Sequence, residues 1–110
     1  MMIRIDARKL TDSAALHATL SEAFGFPASY GKNLDALVDC LTHLDDTKKP
    51  MARVQVFPGQ VVLLAIEHTE DMKKPQTAQV KDLADAVAFV NWRRLEKGQP
   101  PVVAVAYDRC

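Results

Sequence analysis

Two cysteines in 110 residues, Cys40 and Cys110, are too few for a disulfide framework and do not have metal-site spacing. Both read as reduced thiols, structural or incidental. An excess of charge is also missing: 14 basic and 14 acidic residues give a formal net charge of zero. That argues against a nucleic-acid binder driven by overall positive charge, while leaving room for local patches of either sign. No run approaches the ~20 apolar residues of a membrane span. The longest, Val61 to Ile66, has the length of a strand. The opening Met1-Met2-Ile3-Arg4-Ile5-Asp6 lacks the apolar stretch and small-residue cleavage site of a secretory signal. No phosphate loop, nucleophile elbow, internal repeat or low-complexity tract occurs. These absences lead to the expectation of a soluble, cytoplasmic protein without a cofactor.

What remains is ordinary globular material, 48 % apolar and 25 % charged, of a size that favours one domain over residues 1–110. Ile3 and Ile5 alternate with polar neighbours, a short strand signal. Asp12 or Ser13 can cap a helix whose apolar positions are Leu16, Leu20 and Ala23, stopped by Gly25 and Pro27. Asn33 can cap a second helix from Leu34 to about Leu44. A polar loop, Asp45 to Pro50, follows. Val54 and Val56, before the turn Pro58-Gly59, suggest a short extended segment. Val61–Ile66 suits a strand covered on both faces. His68 to Thr77 reads as a loop with at most one helical turn, because it is polar and contains Pro75. Thr77 can cap a long helix with Val80, Leu83, Ala84, Val87 and Val90 inside, ended by Gly98 and Pro100-Pro101. Val102–Tyr107 is a final buried strand. Strands separated by helices favour parallel pairing through right-handed crossovers. The predicted fold is therefore a small α/β domain of two or three layers, with three main parallel strands packed with helices. Val54–Phe57 is a possible extra short edge strand.

The second helix carries the clearest chemical pattern. At ~100° per residue, Leu34, Leu37, Val38, Leu41 and Leu44 share one arc, and Asp35, Asp39, Thr42 and Asp46 share another. Asp35 and Asp39, four apart, are neighbours; such a like-charge pair costs a few tenths of a kcal/mol in an isolated helix. Asp35 recovers part of this in the first turn, at the positive end of the helix dipole. A solvated helix face gives the same pattern, and so does a docking surface for a basic partner. Gly31 reads as a turn residue needing unusual backbone angles. Tyr30 reads either as a core-edge aromatic or as an exposed interface residue.

The segment Leu16-His17-Ala18-Thr19-Leu20, followed by Pro27-Ala28-Ser29-Tyr30-Gly31-Lys32-Asn33-Leu34-Asp35-Ala36-Leu37-Val38-Asp39-Cys40-Leu41-Thr42, resembles the barstar family. These are intracellular inhibitors of secreted bacterial ribonucleases of barnase type. The similar stretch covers about a quarter of the chain, and the later order of strand, long helix, glycine and strand agrees with that fold. The resemblance implies a non-enzymatic inhibitor, a monomer when free, that plugs a ribonuclease active site with an acidic helix face. It implies Asp39 as the main anion, Asp35 as a second carboxylate, Gly31 and Asn33 as polar or backbone contacts, and Tyr30 at the interface border. There are departures. Ser29, Val38 and Leu44 stand where the family pattern has aromatics, Lys32 replaces an acid, and Asn91 to Leu95 offers no carboxylate for the later-helix contact. The chain is also neutral where the family pattern is strongly acidic.

Two other readings compete. Asp39 and His43 could supply two ligands of a metal or enzyme site, with Cys40, His17 and His68 as further candidates. A surface ion pair, a buried thiol and a structural histidine explain the same residues without chemistry. Alternatively, the chain is an interaction module on the same fold with a different protein partner, using Trp92, Arg93 and Arg94. The competing reading there is one partly buried Trp on a basic helix end that suits the dipole.

Overall fold

A computed structural model describes residues 1–48 and 50–109; the expectations for Cys110 and for Lys49 in its polar loop lie outside the described residues. Strand β1 (Met2–Asp6) leads through a single 3-10 turn to helix α1 (Ser13–Phe24) and then helix α2 (Leu34–Thr42). Strand β2 (Val62–Glu67), helix α3 (Lys74–Glu96) and strand β3 (Val103–Tyr107) complete the order. The strands form one parallel sheet in the order β1-β2-β3, so the fold is α/β as predicted. No helix among the described residues is long and apolar enough to cross a membrane.

Local signals account for most element ends. Asp12 caps α1 by accepting from the Ala15 amide at 2.7 Å. Gly25 ends it at φ 70°, the left-handed conformation glycine adopts without a Cβ penalty. Three expectations need correction. Helix α3 starts at Lys74, not after Thr77: Pro75 sits in its first turn, where a missing amide hydrogen costs nothing, and the Gln76 side chain accepts from the Lys73 amide. Val54–Phe57 forms no strand. Its chain instead donates from Val54 to the Phe24 carbonyl and from Val56 to the Leu44 carbonyl, both at 3.0 Å, satisfying acceptors left over where α1 and α2 end. And β3 is not a buried strand: Val103 is buried, but Ala104 and Ala106 lie on the face away from the core and Tyr107 at the strand's end, and all three are exposed.

The sheet's two faces differ. Ile3 and Ile5 of β1, Val62, Leu64 and Ile66 of β2, and Val103 of β3 point into the core that the helices close. On the opposite face, register aligns Met2, Leu63 and Ala104 in one row and Arg4, Ala65 and Ala106 in the next. Met2, Arg4, Ala104 and Ala106 there are exposed, so the arrangement has two layers and β2 is not fully covered on both faces. Helices α2 and α3 pack on each other and run in the same sense. The start of α2 lies beside Asp82 to Phe89, and its last carbonyl, that of Thr42, meets Arg94.

Candidate functional site

The turn before α2 is fastened from below. The Tyr30 amide donates to the Pro27 carbonyl at 2.9 Å, closing the turn. The Tyr30 ring is 7 % exposed and lies 4.8 Å from the Phe26 ring, centroid to centroid. Its hydroxyl is 2.7 Å from His17 Nδ1, inside the core. Of the two readings of Tyr30, the core aromatic is the one observed. The ring lies beneath the turn and supports it. Burial, with a smaller contribution from Cys40, pushes the Tyr30 hydroxyl up to about 12. Cys40 itself is buried and its thiol is pushed up to about 11, chiefly by burial and then by Asp39, which makes it a poor nucleophile.

Gly31 does not take the unusual backbone angles expected of it. The left-handed residue is Lys32, at φ 55°. A Cβ on Gly31 would meet the Ala36 Cβ and Asn33 Nδ2 at 3.4 Å, an ordinary van der Waals contact, so the fold of the free chain does not itself demand glycine there. Asn33 works in both directions. Its Oδ1 accepts from the Ala36 amide at 2.8 Å, and its Nδ2 donates back to the Gly31 carbonyl at 3.3 Å. One side chain thus caps α2 and ties the turn to it. Asn33→Ala should lower stability by about 1 kcal/mol. A urea-denaturation midpoint unchanged by that substitution would contradict the role.

The far end of α2 is held as well. Arg94, 3 % exposed, donates from Nη1 to the Thr42 carbonyl at 2.8 Å and grips Asp45 with both terminal nitrogens at 3.1 and 2.7 Å. Its Nε donates to the Pro100 carbonyl at 2.8 Å. Arg94 is therefore no part of a surface with Trp92 and Arg93. Between its fixed ends, α2 buries Leu37, Val38, Cys40 and Leu41 and presents Asp35 and Asp39 to solvent. Asp35 makes no hydrogen bond or ion pair among the described residues, and Asp39 has a contact to His43 Nε2 at 3.5 Å. Among the described residues no group of three or more potential ligands is placed to hold a metal ion. His17 is committed to Tyr30, and His43 lies between Asp39 and Asp46.

Two carboxylates of α3 join this surface, which the stretch Asn91–Leu95 could not supply. Asp82 and Asp85 line a groove of about 260 Å³ together with Leu34, Asp35 and Val38 of α2. Their signal in the sequence is two carboxylates three apart on α3, off the Leu83–Val87–Val90 stripe, but only the packing of the helices brings them to the groove that Asp35 lines.

The profile of the family described as "Barstar (barnase inhibitor)" matches residues 1–106. The chain belongs to the barstar family. A relative from Bacillus subtilis (strain 168), named "Putative ribonuclease inhibitor YrdF", is 50 % identical over 40 residues. That match covers 36 % of this chain and 44 % of the relative, so the chain spans under half of the relative's length. Helix α2, capped at its start by Asn33, packs against α3.

Burial gives the site's foundation a pH dependence. Desolvation lowers the His17 pKa, so the imidazole stays neutral in the fold at pH values where the unfolded chain, near pH ~6.5, takes up a proton. Extra protons on the unfolded state mean that stability is fully present above about pH 6.5 and is lost as pH falls from there through the folded pKa. The urea midpoint should decline between pH 7 and 5. His17→Gln should flatten that decline relative to the parent protein, and an unaltered slope would show that another group is responsible.

Proposed function

We propose that this barstar-family chain is a non-enzymatic, intracellular inhibitor of a secreted microbial ribonuclease of barnase type, and a monomer when free. The observation that carries the reading is α2: two exposed carboxylates on a helix fixed at its start by Asn33 and at its end by Arg94. A ribonuclease must hold the phosphates of RNA with cationic side chains. An anionic side chain of the right reach can occupy the same place, and complementary fields speed the encounter. A helix already ordered before binding loses little conformational freedom on association. In this reading Asp39 is the central anion, Asp35 flanks it, and Gly31 and Asn33 offer backbone and amide groups at the rim. Tyr30 acts indirectly, by holding the turn from the core.

The test is a titration of the purified chain into barnase while RNA cleavage is followed. Cleavage should fall with stoichiometric binding. Undiminished cleavage at micromolar inhibitor would remove the proposal.

A further inference from the structure

We infer that the outer edge of β3 is a docking site for an extended, uncharged segment of a partner protein, which adds to the sheet as a fourth strand. This goes beyond the ribonuclease reading and does not depend on it. Two backbone bonds fix which groups of β3 face outward. The Val62 amide donates to the Val102 carbonyl, and the Asp108 amide donates to the Ile66 carbonyl. Along a parallel strand the backbone groups of successive residues face opposite sides, so those of Val103, Val105 and Tyr107 point away from β2. The other edge of the sheet is β1. There the Met1 carbonyl accepts from the Leu63 amide, so the backbone groups of Met2, Arg4 and Asp6 face outward.

The two edges are guarded unequally. Natural sheets blunt an exposed edge with charged side chains, proline or a covering element. On β1 the edge residues include Arg4 and Asp6, and Lys9 and Glu22 line the groove beside them. From Val102 to Tyr107, β3 carries no charged side chain. Its guard is α3, and that guard is partial. Arg94 bonds the Pro100 carbonyl and Asn91 the Val103 carbonyl, so α3 runs against the direction of β3. Asn91 Nδ2 covers the outward Val103 carbonyl at 2.7 Å. The next positions on that helix face, Ala88 and Ala84, lie toward Val105 and Tyr107 and have no polar group to offer. Among the described residues, the outward amides and carbonyls of Val105 and Tyr107 have no hydrogen-bond partner. Such a row of donors and acceptors, free of charge and bordered by alanines, is complementary to the backbone of another strand. A second copy of this chain is the poorer occupant. Two β3 strands paired antiparallel about Val105 would set the Tyr107 amide of one copy against the Val103 carbonyl of the other, which Asn91 already holds. A flexible segment can take a register that avoids that carbonyl.

The probe is the acetylated, amidated peptide Thr-Val-Thr-Val-Thr, titrated to millimolar concentration into the isotope-labelled full chain and followed by amide resonances. In the free chain the Val105 and Tyr107 amides should exchange with deuterium faster than those of Ala104 and Ala106, which the β2 ladder holds. Added peptide should shift the Val105 and Tyr107 resonances saturably and slow their exchange. The same peptide methylated at every backbone nitrogen should do neither. Val105→Pro removes an outward donor and leaves the bonds to β2 in place, so it should lose the peptide and keep the parent's circular dichroism. Should that variant unfold, the methylated peptide on the parent chain still decides. No saturable shift with the parent, or equal binding of the methylated peptide, overturns the inference. So does a dimer of the free chain in sedimentation that Val105→Pro disperses, because a second copy then covers the edge.

Discussion

Arg94→Ala should lower the unfolding free energy by about 3–5 kcal/mol, the usual result of removing one partner of a buried ion pair. Four donated hydrogen bonds disappear together. The Thr42 and Pro100 carbonyls lose a partner, and the Asp45 carboxylate, 18 % exposed, is left without its counter-charge. An open polar depression beside the pair, lined by His43, Asp46, Lys97 and Gln99, admits water to the stranded groups and favours the lower end of that range. Lysine should rescue only part of the loss. It can reach one acceptor as a point charge, whereas the guanidinium grips Asp45 with two nitrogens and still reaches two carbonyls. Set against total stabilities of about 5–15 kcal/mol, the loss leaves the chain marginal. Urea unfolding at constant m-value measures it. A shift under 1 kcal/mol for Arg94→Ala would mean that water already replaces the guanidinium.

The same clamp marks where sequence reasoning stops. Helix α2 was legible because its information is local: Asn33 as cap, an apolar arc at helical spacing, carboxylates on the other arc. The strands were legible for a similar reason, since Ile3 and Ile5 alternate and Val62–Ile66 is an apolar run. In the sequence Arg94 is one of several basic residues suited to a helix end. Two of its partners, Asp45 and Thr42, lie 49 and 52 residues away, and no periodicity carries that information. Lys32 and Gly31 exchanged roles for a comparable reason. A glycine in a turn signals freedom, but the left-handed residue is decided by where the next cap must sit. Val54–Phe57 has strand-like composition, yet the free carbonyls at the ends of α1 and α2 were nearer partners than a sheet edge. The groove between α2 and α3 depends on how the two helices pack, which single-helix patterns do not encode.

Asp39→Ala should be the most damaging single change for inhibition, and nearly silent for folding. In the free chain its side chain is 59 % exposed and, among the described residues, meets His43 at 3.5 Å. Exposed pairs of this kind contribute about 0–1 kcal/mol. Losing it also relieves the repulsion from Asp35, so the urea midpoint should stay within a few tenths of a kcal/mol. In the proposed complex the same carboxylate is desolvated against the enzyme's phosphate-binding cations. Truncating it there leaves those cations buried without a partner, at a cost of about 2–5 kcal/mol, or roughly 30- to 5,000-fold in Kd. The loss should appear mainly in the dissociation rate. Asp35→Ala should cost less, because a first-turn carboxylate shares its charge with the helix start. Asp46→Ala is the decisive comparison. It removes the same charge from a residue beyond the end of α2, where Asp46 already accepts from the Lys48 amide at 3.0 Å. Its effect should be confined to a small, salt-sensitive drop in association rate. Equal losses for Asp39→Ala and Asp46→Ala would mean that bulk charge draws the enzyme in, and that no particular carboxylate of α2 fills its site.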